Sequence, residues 1–514
     1  MNRIATSNHC FDVCIVGSGP AGAFAAHELA QKGYSIAVIE AGGKTMDTDP
    51  ANVIDKETGS IDGSIKFGFS QQVGGSSNLW AGGIVRFNPV DLAARPDFGF
   101  PGWPIDFSEL ELYYKRVDAY FGIQKKEHVD SKLLECITEQ TAIDPRETVL
   151  LEPPYATGPL VQNVKSIKLY ENCPAHKLIW NEQRSSIQEI EFYDRKTRCH
   201  RRVRAHNFVL AAGALTNIRL LLYSLVERKE LLAKVYDQIG CEFSTHPKAN
   251  IGRIQLAKPL PWNHPFVMFN RHETYGARYQ FGLNEKLLVE QGLLNHCLRF
   301  DSSRHRRLYL MFERSGNFVM QLPLIRKGRG KLSEIVTQFG IWTHRLLEKM
   351  KGNSSSWLTV RIFLDQASRS ENRVMLSSQR SESGLPLAVI NWKYTEEDWC
   401  NAEAFIECFS TELNRLKIGK LIYQRPEPKE FTTIHSHFLG GTRMGNDPDQ
   451  SVVDVNLKVH GIDNLYVSGP SVFPSYGHAN PFYTIAALSL RLGDHLAAKS
   501  GNNIENIVAA EGVV

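Results

Sequence analysis

Gly17, Gly19 and Gly22, in the run Gly17-Ser18-Gly19-Pro20-Ala21-Gly22, are spaced to bring a peptide backbone against an anionic group. The first glycine permits a tight turn, the second lets the chain approach a pyrophosphate, and the third lets helix and strand pack closely. Glu40 stands where a carboxylate accepts hydrogen bonds from ribose hydroxyls. These residues describe a dinucleotide site. An acid in this place disfavours a ribose 2′-phosphate, and no second fingerprint of the kind follows for a pyridine nucleotide. That points to one bound cofactor, reduced directly by the substrate. A second run, Val73-Gly74-Gly75-Ser76-Ser77-Asn78-Leu79-Trp80-Ala81-Gly82-Gly83, holds four glycines and two serines in eleven residues. Its N–H groups and hydroxyls can lie against a flat or anionic ligand. A flexible surface loop is the plainer reading, and Trp80 with Ile84 and Val85 argues against it.

The first run has the elements its chemistry needs. Phe11 to Val16 reads as a short apolar strand, Ala21 to Lys32 as a helix that stops at Gly33, and Ser35 to Ile39 as a second strand ending at Glu40. Strand, glycine turn and helix then aim free helix N–H groups at a phosphate.

Composition bounds the rest. The chain has 514 residues, 42% hydrophobic and 22% charged, with a net charge of only +4. That is an ordinary globular protein with room for several subdomains and no field that would attract nucleic acid. The nine cysteines stand singly, without a CxxC pair, which suits reduced thiols better than disulfides or a zinc site, and no metal is expected. No secretory leader or uncharged apolar stretch near 20 residues is present, so a cytoplasmic protein is expected.

The C-terminal part reads His437-Phe438-Leu439-Gly440-Gly441-Thr442-x-Met444-Gly445, then Val452-Val453-Asp454, Val459-His460-Gly461, Asn464-Leu465-Tyr466-Val467, Ser471-Val472-Phe473-Pro474 and Asn480-Pro481-x-x-Thr484. With both glycine runs, and with Gly102-Trp103-Pro104-Ile105, Tyr113-Tyr114, Val209 to Ala214, Arg219-Leu220-Leu221, His246-Pro247, Asn372-Arg373-Val374 and Leu376-Ser377, it resembles the glucose–methanol–choline (GMC) oxidoreductases. The resemblance extends over most of the chain from Phe11 to Leu496, and its details look most like the sugar-oxidising branch of pyranose oxidases, fructose dehydrogenases and glucoside 3-dehydrogenases. It implies an α/β fold, with a Rossmann-like FAD-binding domain and a discontinuous, sheet-based substrate domain. The expected division is 8–250 for the N-terminal part of the FAD-binding domain, with cap elements near 95–160, then 251–430 for the substrate domain. Residues 431–500 return to the FAD-binding domain and carry the catalytic pair.

The family's catalytic pair maps onto His437 and Asn480. A neutral imidazole can take a hydroxyl proton while hydride leaves the carbinol carbon for flavin N5, and its ordinary pKa of about 6.5 suits the task. The reduction rate is then expected to fall below the pKa of His437, and a flat profile from about pH 5 to 8, the range where histidine ordinarily titrates, counts against it as the base. The asparagine amide can fix the hydroxyl or stabilise developing charge. Carried over residue by residue, the cofactor contacts are Gly17, Gly19, Pro20, Ala21, Gly22, Glu40, Gly74, Gly75, Ser76, Ser77, Asn78, Leu79, Ala212, Gly213, Gly469, Pro481 and Thr484. Some members of the family link FAD covalently through a histidine in the second glycine run. This chain has none there, so non-covalent FAD is expected. His435 and His478, each two residues from a member of the pair, are further candidates for the pocket, whereas His176 and His246 read as structural.

Residues of about 250 to 430 alternate between apolar and polar runs, with a turn near Ser381-Glu382-Ser383-Gly384. Within them, 301–351 carries eleven Arg and Lys against four acids, with apolar residues at helical spacing in its second half. An ordinary solvated helix is the first reading, and contact with an anionic membrane or a redox partner the second. The functional expectation is oxidation of a CH–OH group in a sugar or sugar-like polyol, with electrons passing to a quinone, a protein or oxygen. A non-sugar alcohol or sterol as substrate, a flavin-retaining lyase, and an FAD-carrying subunit that mainly serves partners remain as alternatives.

Overall fold

The structure is a computed structural model, and it describes residues 5–45, 52–59, 70–123, 131–151, 153–260, 264–267, 269–271, 275–302, 356–427, 430 and 437–511. The basic stretch from 303 onward and His435 lie outside the described residues.

The strand–turn–helix at the N-terminus builds the centre of a seven-stranded sheet. Its order is β6 (Ile167–Tyr170), β2 (Ile36–Ile39), β1 (Ala5–Val16), β9 (Cys199–Leu210), β8 (Ile187–Asp194) and β7 (Ala175–Trp180), with β18 (Leu465–Val467) parallel to the end of β9. The strands from β6 to β9 are parallel, and β8 and β7 turn back as an antiparallel meander. β1 starts earlier than its apolar run because its polar N-terminal part pairs with the arginine-rich arm of β9, in the register Thr6 to Arg202 and Cys10 to Arg204.

The helix Pro20–Gln31 packs against the C-terminal helix Phe482–Glu511. Glu28 of the first helix is buried, with Arg116 at 2.8 Å, and Arg116 reaches Asp494 of the C-terminal helix at 2.6 Å. A carboxylate taken out of water needs such a partner. The result fixes the helix that follows Asn480 to the helix that follows the glycine turn.

An eight-stranded antiparallel sheet forms the second layer. Its order is β17 (Gly419–Tyr423), β10 (Lys248–Leu256), β14 (Trp357–Phe363), β13 (Cys297–Ser302), β12 (Tyr275–Leu283), β5 (Ile143–Leu151) and β4 (Gly83–Ile84), with β11 (Phe269–Arg271) paired to β12. The stretch 251–430 supplies most of these strands. β4 and β5 come from the N-terminal part and β10 begins at Lys248, so the sheet is assembled from discontinuous chain. One face carries Ala249, Ile251, Phe281, Leu298, Val360 and Ile362 into a core with Phe405, Phe409 and Leu413 of the helix Glu396–Arg415. A smaller sheet joins β15 (Arg373–Arg380), β16 (Pro386–Trp392) and β3 (Ile54–Gly59). The turn read at 381–384 connects β15 to β16, with Ser381 N–H donating to Leu385 at 2.9 Å. Among the described residues, no helix is long and apolar enough to cross a membrane.

Candidate active site

The glycine turn closes on the end of the parallel sheet. Gly17 has φ +98°, and a Cβ there would lie 2.5 Å from the Ala211 carbonyl oxygen. A Cβ on Gly22 would fall on the carbonyl of Gly17. Only glycine meets both demands. Gly19 caps the first helix and Pro20 occupies its first position, where a missing N–H costs nothing, so the N–H groups that follow stay available to an anion.

Glu40 is buried beneath this turn. It accepts from Ser18 N–H at 2.9 Å, from the Ser18 hydroxyl at 2.6 Å and from Gly42 N–H at 2.8 Å. Burial pushes its carboxyl above the usual range, and these bonds pull it back. The Ala41 N–H also bears on this carboxylate, so Glu40 is held by the loop on every side. The Ser18 hydroxyl also receives Gly74 N–H at 3.1 Å, which joins the two glycine runs. Ser18 was not among the residues expected at the cofactor; a small hydroxyl residue inside the turn was the available signal.

The second run forms a single turn, Gly75–Asn78, and a Cβ on Gly75 would lie 2.9 Å from the Gly19 Cα. The two loops therefore face each other backbone to backbone. Gly469 abuts Ala21, Ala212 N–H is held by Asn217 at 2.9 Å, and Gly213 caps the helix Ala214–Leu225, so these segments also converge on the turn. Other expected cofactor residues are occupied by protein. Ser77 donates to Gly74 at 2.6 Å and accepts from Thr157 N–H at 3.0 Å. Asn78 caps its own loop through Val73 and Gly75, both at 3.0 Å. Thr484 shares a 2.7 Å hydrogen bond with Tyr114, and Pro481 is buried. Ser76 is half-buried and Leu79 is exposed at the same loop.

At the other end, the 437–445 segment runs along 470–472, with Gly440, Thr442 and Met444 N–H donating to Pro470, Ser471 and Val472. A reciprocal pair between Leu439 and Ser244, at 2.8 and 3.0 Å, ties it to the chain entering β10. These bonds bring His437 Nδ1 to 3.2 Å from His246 Nδ1, with the rings perpendicular at 89°. His246, expected to be structural, thus touches the candidate base, and it also lies against the Tyr476 and Gly477 backbone. Pairing between residues almost two hundred positions apart is invisible in the sequence.

His478 accepts from Arg146 at 3.0 Å, so its other nitrogen carries the proton, and that buried N–H has no partner among the described residues. Asn480 donates to the Gly83 carbonyl at 2.8 Å, which fixes its amide plane. Trp80, from the second glycine run, stacks on Phe482 at 3.9 Å.

Electrostatics correct one expectation. Burial, then the charge of Lys248, then His246 push His437 well below the usual histidine range. Burial and Lys248 likewise lower His246 to about 3. His437 is therefore a neutral base throughout the range where an ordinary imidazole titrates, and the expected loss of rate moves to more acid pH.

A third histidine group lies on the meander. His176, Glu191 and His200 bring ligand atoms within 4.8 Å of one another, on β7, β8 and β9. The other oxygen of Glu191 is taken by Arg202 at 2.8 Å.

The GMC oxidoreductase family matches residues 368–489, and an FAD binding domain family matches residues 10–61. The 2-methyl-1,2-propanediol dehydrogenase of Mycolicibacterium austroafricanum is 22% identical over 588 residues, covering 98% of this chain and 98% of its own. The fructose dehydrogenase large subunit of Gluconobacter japonicus is 22% identical, over 94% of this chain and 97% of its own. Among solved structures, the formate oxidase of Aspergillus oryzae RIB40, studied for its FAD modification, superposes with a TM-score of 0.58 at 16% identity, covering 98% of this chain and 100% of that one. At that identity the likeness is one of fold.

Proposed function

The chain is an FAD-dependent enzyme of the GMC oxidoreductase superfamily, and on that premise we propose that it oxidises a CH–OH group of a sugar or sugar-like polyol, with His437 taking the hydroxyl proton. The residues at the glycine turn fit the cofactor: a backbone cradle that a Cβ would fill, a helix N-terminus and a buried carboxylate at the end of the second strand. Gly17, Gly19, Pro20, Ala21 and Gly22 would hold its pyrophosphate, Glu40 its ribose, and Gly74, Gly75, Ser76 and Gly213 the segments beside it. Bound FAD supplies the acceptor for the hydride.

The observation that carries this reading is the His437–His246 contact. In this contact His246 is taken as the acceptor at Nδ1. His437 then donates from Nδ1 and leaves Nε2 free as the base. The Asn480 amide, held at Gly83, is the second member of the proposed pair, with the role of orienting the hydroxyl. The relatives named for a diol and for fructose support a polyol substrate.

The test is anaerobic mixing with a panel of sugars and alcohols while following flavin bleaching at about 450 nm. Bleaching by a polyol supports the reading, and re-oxidation with oxygen, quinones or candidate proteins then identifies the acceptor. Product formation while the flavin stays oxidised would establish lyase chemistry instead. FAD is proposed to be non-covalent, because the second glycine run offers Ser76, Ser77 and Asn78 but no histidine. Acid precipitation should leave yellow flavin in the supernatant; flavin retained in the pellet would show a covalent link.

A further inference from the structure

β7, β8 and β9 form the antiparallel end of the first sheet. In such a ladder, directly opposed residues share a face and alternate residues return to it. The register sets Glu189 against Arg204, Glu191 against Arg202 and Tyr193 against His200, so all six lie on one face. Glu189 is satisfied by arginines: Arg204 reaches one oxygen at 2.7 Å and Arg202 the other at 3.6 Å. Glu191 is satisfied on one side only. Arg202 takes its Oε2 at 2.8 Å, and Oε1 accepts no hydrogen bond among the described residues.

That oxygen faces two imidazoles. His200 Nδ1 lies 3.4 Å from it and His176 Nε2 lies 3.7 Å from it, and all three ligand atoms fall within 4.8 Å of one another. Neither contact is a hydrogen bond: the second is too long, and His200 Nδ1 is buried with no hydrogen-bond partner among the described residues. An imidazolium paired with this carboxylate would sit at about 2.7–2.9 Å. His176 reaches the group through an irregularity in β7. Between Ala175, opposite Phe192, and Lys177, opposite Glu191, β7 holds one residue more than β8, and that residue is His176. A bulge of this kind re-aims the side chain it carries. The ring is backed by Gly384 of the turn between β15 and β16, where a Cβ would lie 3.0 Å from its Cε1. Burial first, then His200, lowers His176 to about 4, which leaves a neutral ring with a free lone pair at about pH 7.

These spacings are those of a metal site. A tetrahedral Zn2+ with bonds of about 2.0–2.2 Å holds its ligand atoms about 3.3–3.6 Å apart. The two edges at Glu191 already come close to this, and the third closes by about 1 Å when the half-buried His200 ring turns. The charges that oppose a cation here are themselves engaged: Arg202 with both carboxylates, Lys177 with Glu227 at 2.5 Å, and Arg380 with the Gly384 carbonyl at 2.7 Å. Two imidazoles with one carboxylate oxygen suit zinc, whereas Mg2+ and Ca2+ require more oxygens. We propose that His176, Glu191 and His200 form a Zn2+ site, open at its fourth position, that staples β7, β8 and β9. Each ligand comes from a different strand, so the ion stabilises the folded chain and not the unfolded one. No spacing in the sequence marks these ligands, because they meet only through strand register.

The test uses the holoenzyme, dialysed against a chelator and then into chelator-free buffer. It is titrated with ZnCl2 in a calorimeter, and its melting temperature is read with and without the ion. Wild type should bind one Zn2+ per chain and melt higher with it. Loss of a group that only supports a ligand costs metal sites about 10–100-fold, so His176→Ala and His200→Ala should each weaken zinc by about 100-fold or more. Both should lose the rise in melting temperature while keeping the flavin content and spectrum of wild type. They lie on different strands, so if one fails to fold the other decides. His437→Ala should bind zinc as wild type does, which separates this site from the catalytic histidines, and Mg2+ should leave the melting temperature unmoved. Failure of wild type to take up one equivalent overturns the site. So does zinc binding that survives both histidine variants, that disappears in His437→Ala instead, or that Mg2+ reproduces.

Discussion

The two large sheets build their parts of the active site from different material. At the end of the parallel sheet, the dinucleotide cradle is mostly backbone: Gly17 against Ala211, Gly22 against Gly17, and Gly19 against Gly75. Side chains there, Ser18 and Glu40, hold loops in place. At the antiparallel sheet the groups that meet the candidate site are side chains: His246 against His437 and Lys248 beside them at the entry to β10, and Arg146 on β5 against His478. A cofactor of fixed shape can be met by a fixed backbone, whereas a substrate must be chosen by chemistry that differs from one enzyme to the next.

The largest expected effect separates the two regions. His437→Ala should slow flavin reduction by roughly two to four orders of magnitude while flavin content and spectrum stay those of wild type. Stopped-flow reduction and an absorbance ratio measure both; an unchanged rate would remove His437 from the mechanism. The complementary change is Gly22→Ala, whose Cβ would strike the Gly17 carbonyl. It should weaken FAD retention by about 1–3 kcal/mol, the usual cost of overpacking, and yield flavin-poor protein. Full flavin occupancy after dialysis would mean that the cradle is not built on this contact.

The pH profile sharpens the comparison. Because burial, Lys248 and His246 hold His437 neutral, flavin reduction should be flat from about pH 5 to 8, the range where histidine ordinarily titrates, and should fall only below it. Lys248→Met removes a repulsive charge, so its acid limb should move toward neutral pH. A wild-type limb centred near the ordinary histidine value would contradict the burial of the pair.

The smallest effect is on stability. Burial lowers His246 and His296 to about 3, and His176 and His264 to about 4. Each stays neutral in the fold while the unfolded chain binds a proton below about pH 6.5. Stability should therefore be fully present above that value and decline as pH falls toward 4 and then 3. Urea midpoints across this range measure it. Three of the four, His246, His264 and His296, belong to the region of the antiparallel sheet, so hydrogen exchange should rise there first. Equal loosening of the parallel sheet would erase the distinction.

Legibility in the sequence followed the same line. The glycine turn, its flanking strands and helix, and Glu40 were readable because a positive φ or a close approach leaves a mark in residue type. The His246 contact was not. Neither was the Ser18 joint, nor the bond from Arg146 to His478. Each depends on segments that meet only after the chain has folded.

The sequence by itself determined that this chain binds a dinucleotide at its N-terminal turn and completes an FAD-dependent oxidoreductase fold with its C-terminal segment. Local backbone requirements and short motifs carry that information. Only the tertiary structure decided which side chains meet around His437. Register puts Lys248 on the face opposite that of Ala249 and Ile251, and a shift of one residue would turn it into the apolar core. Burial then decides the charge state of His437, because an imidazole removed from water beside a cation does not hold a proton.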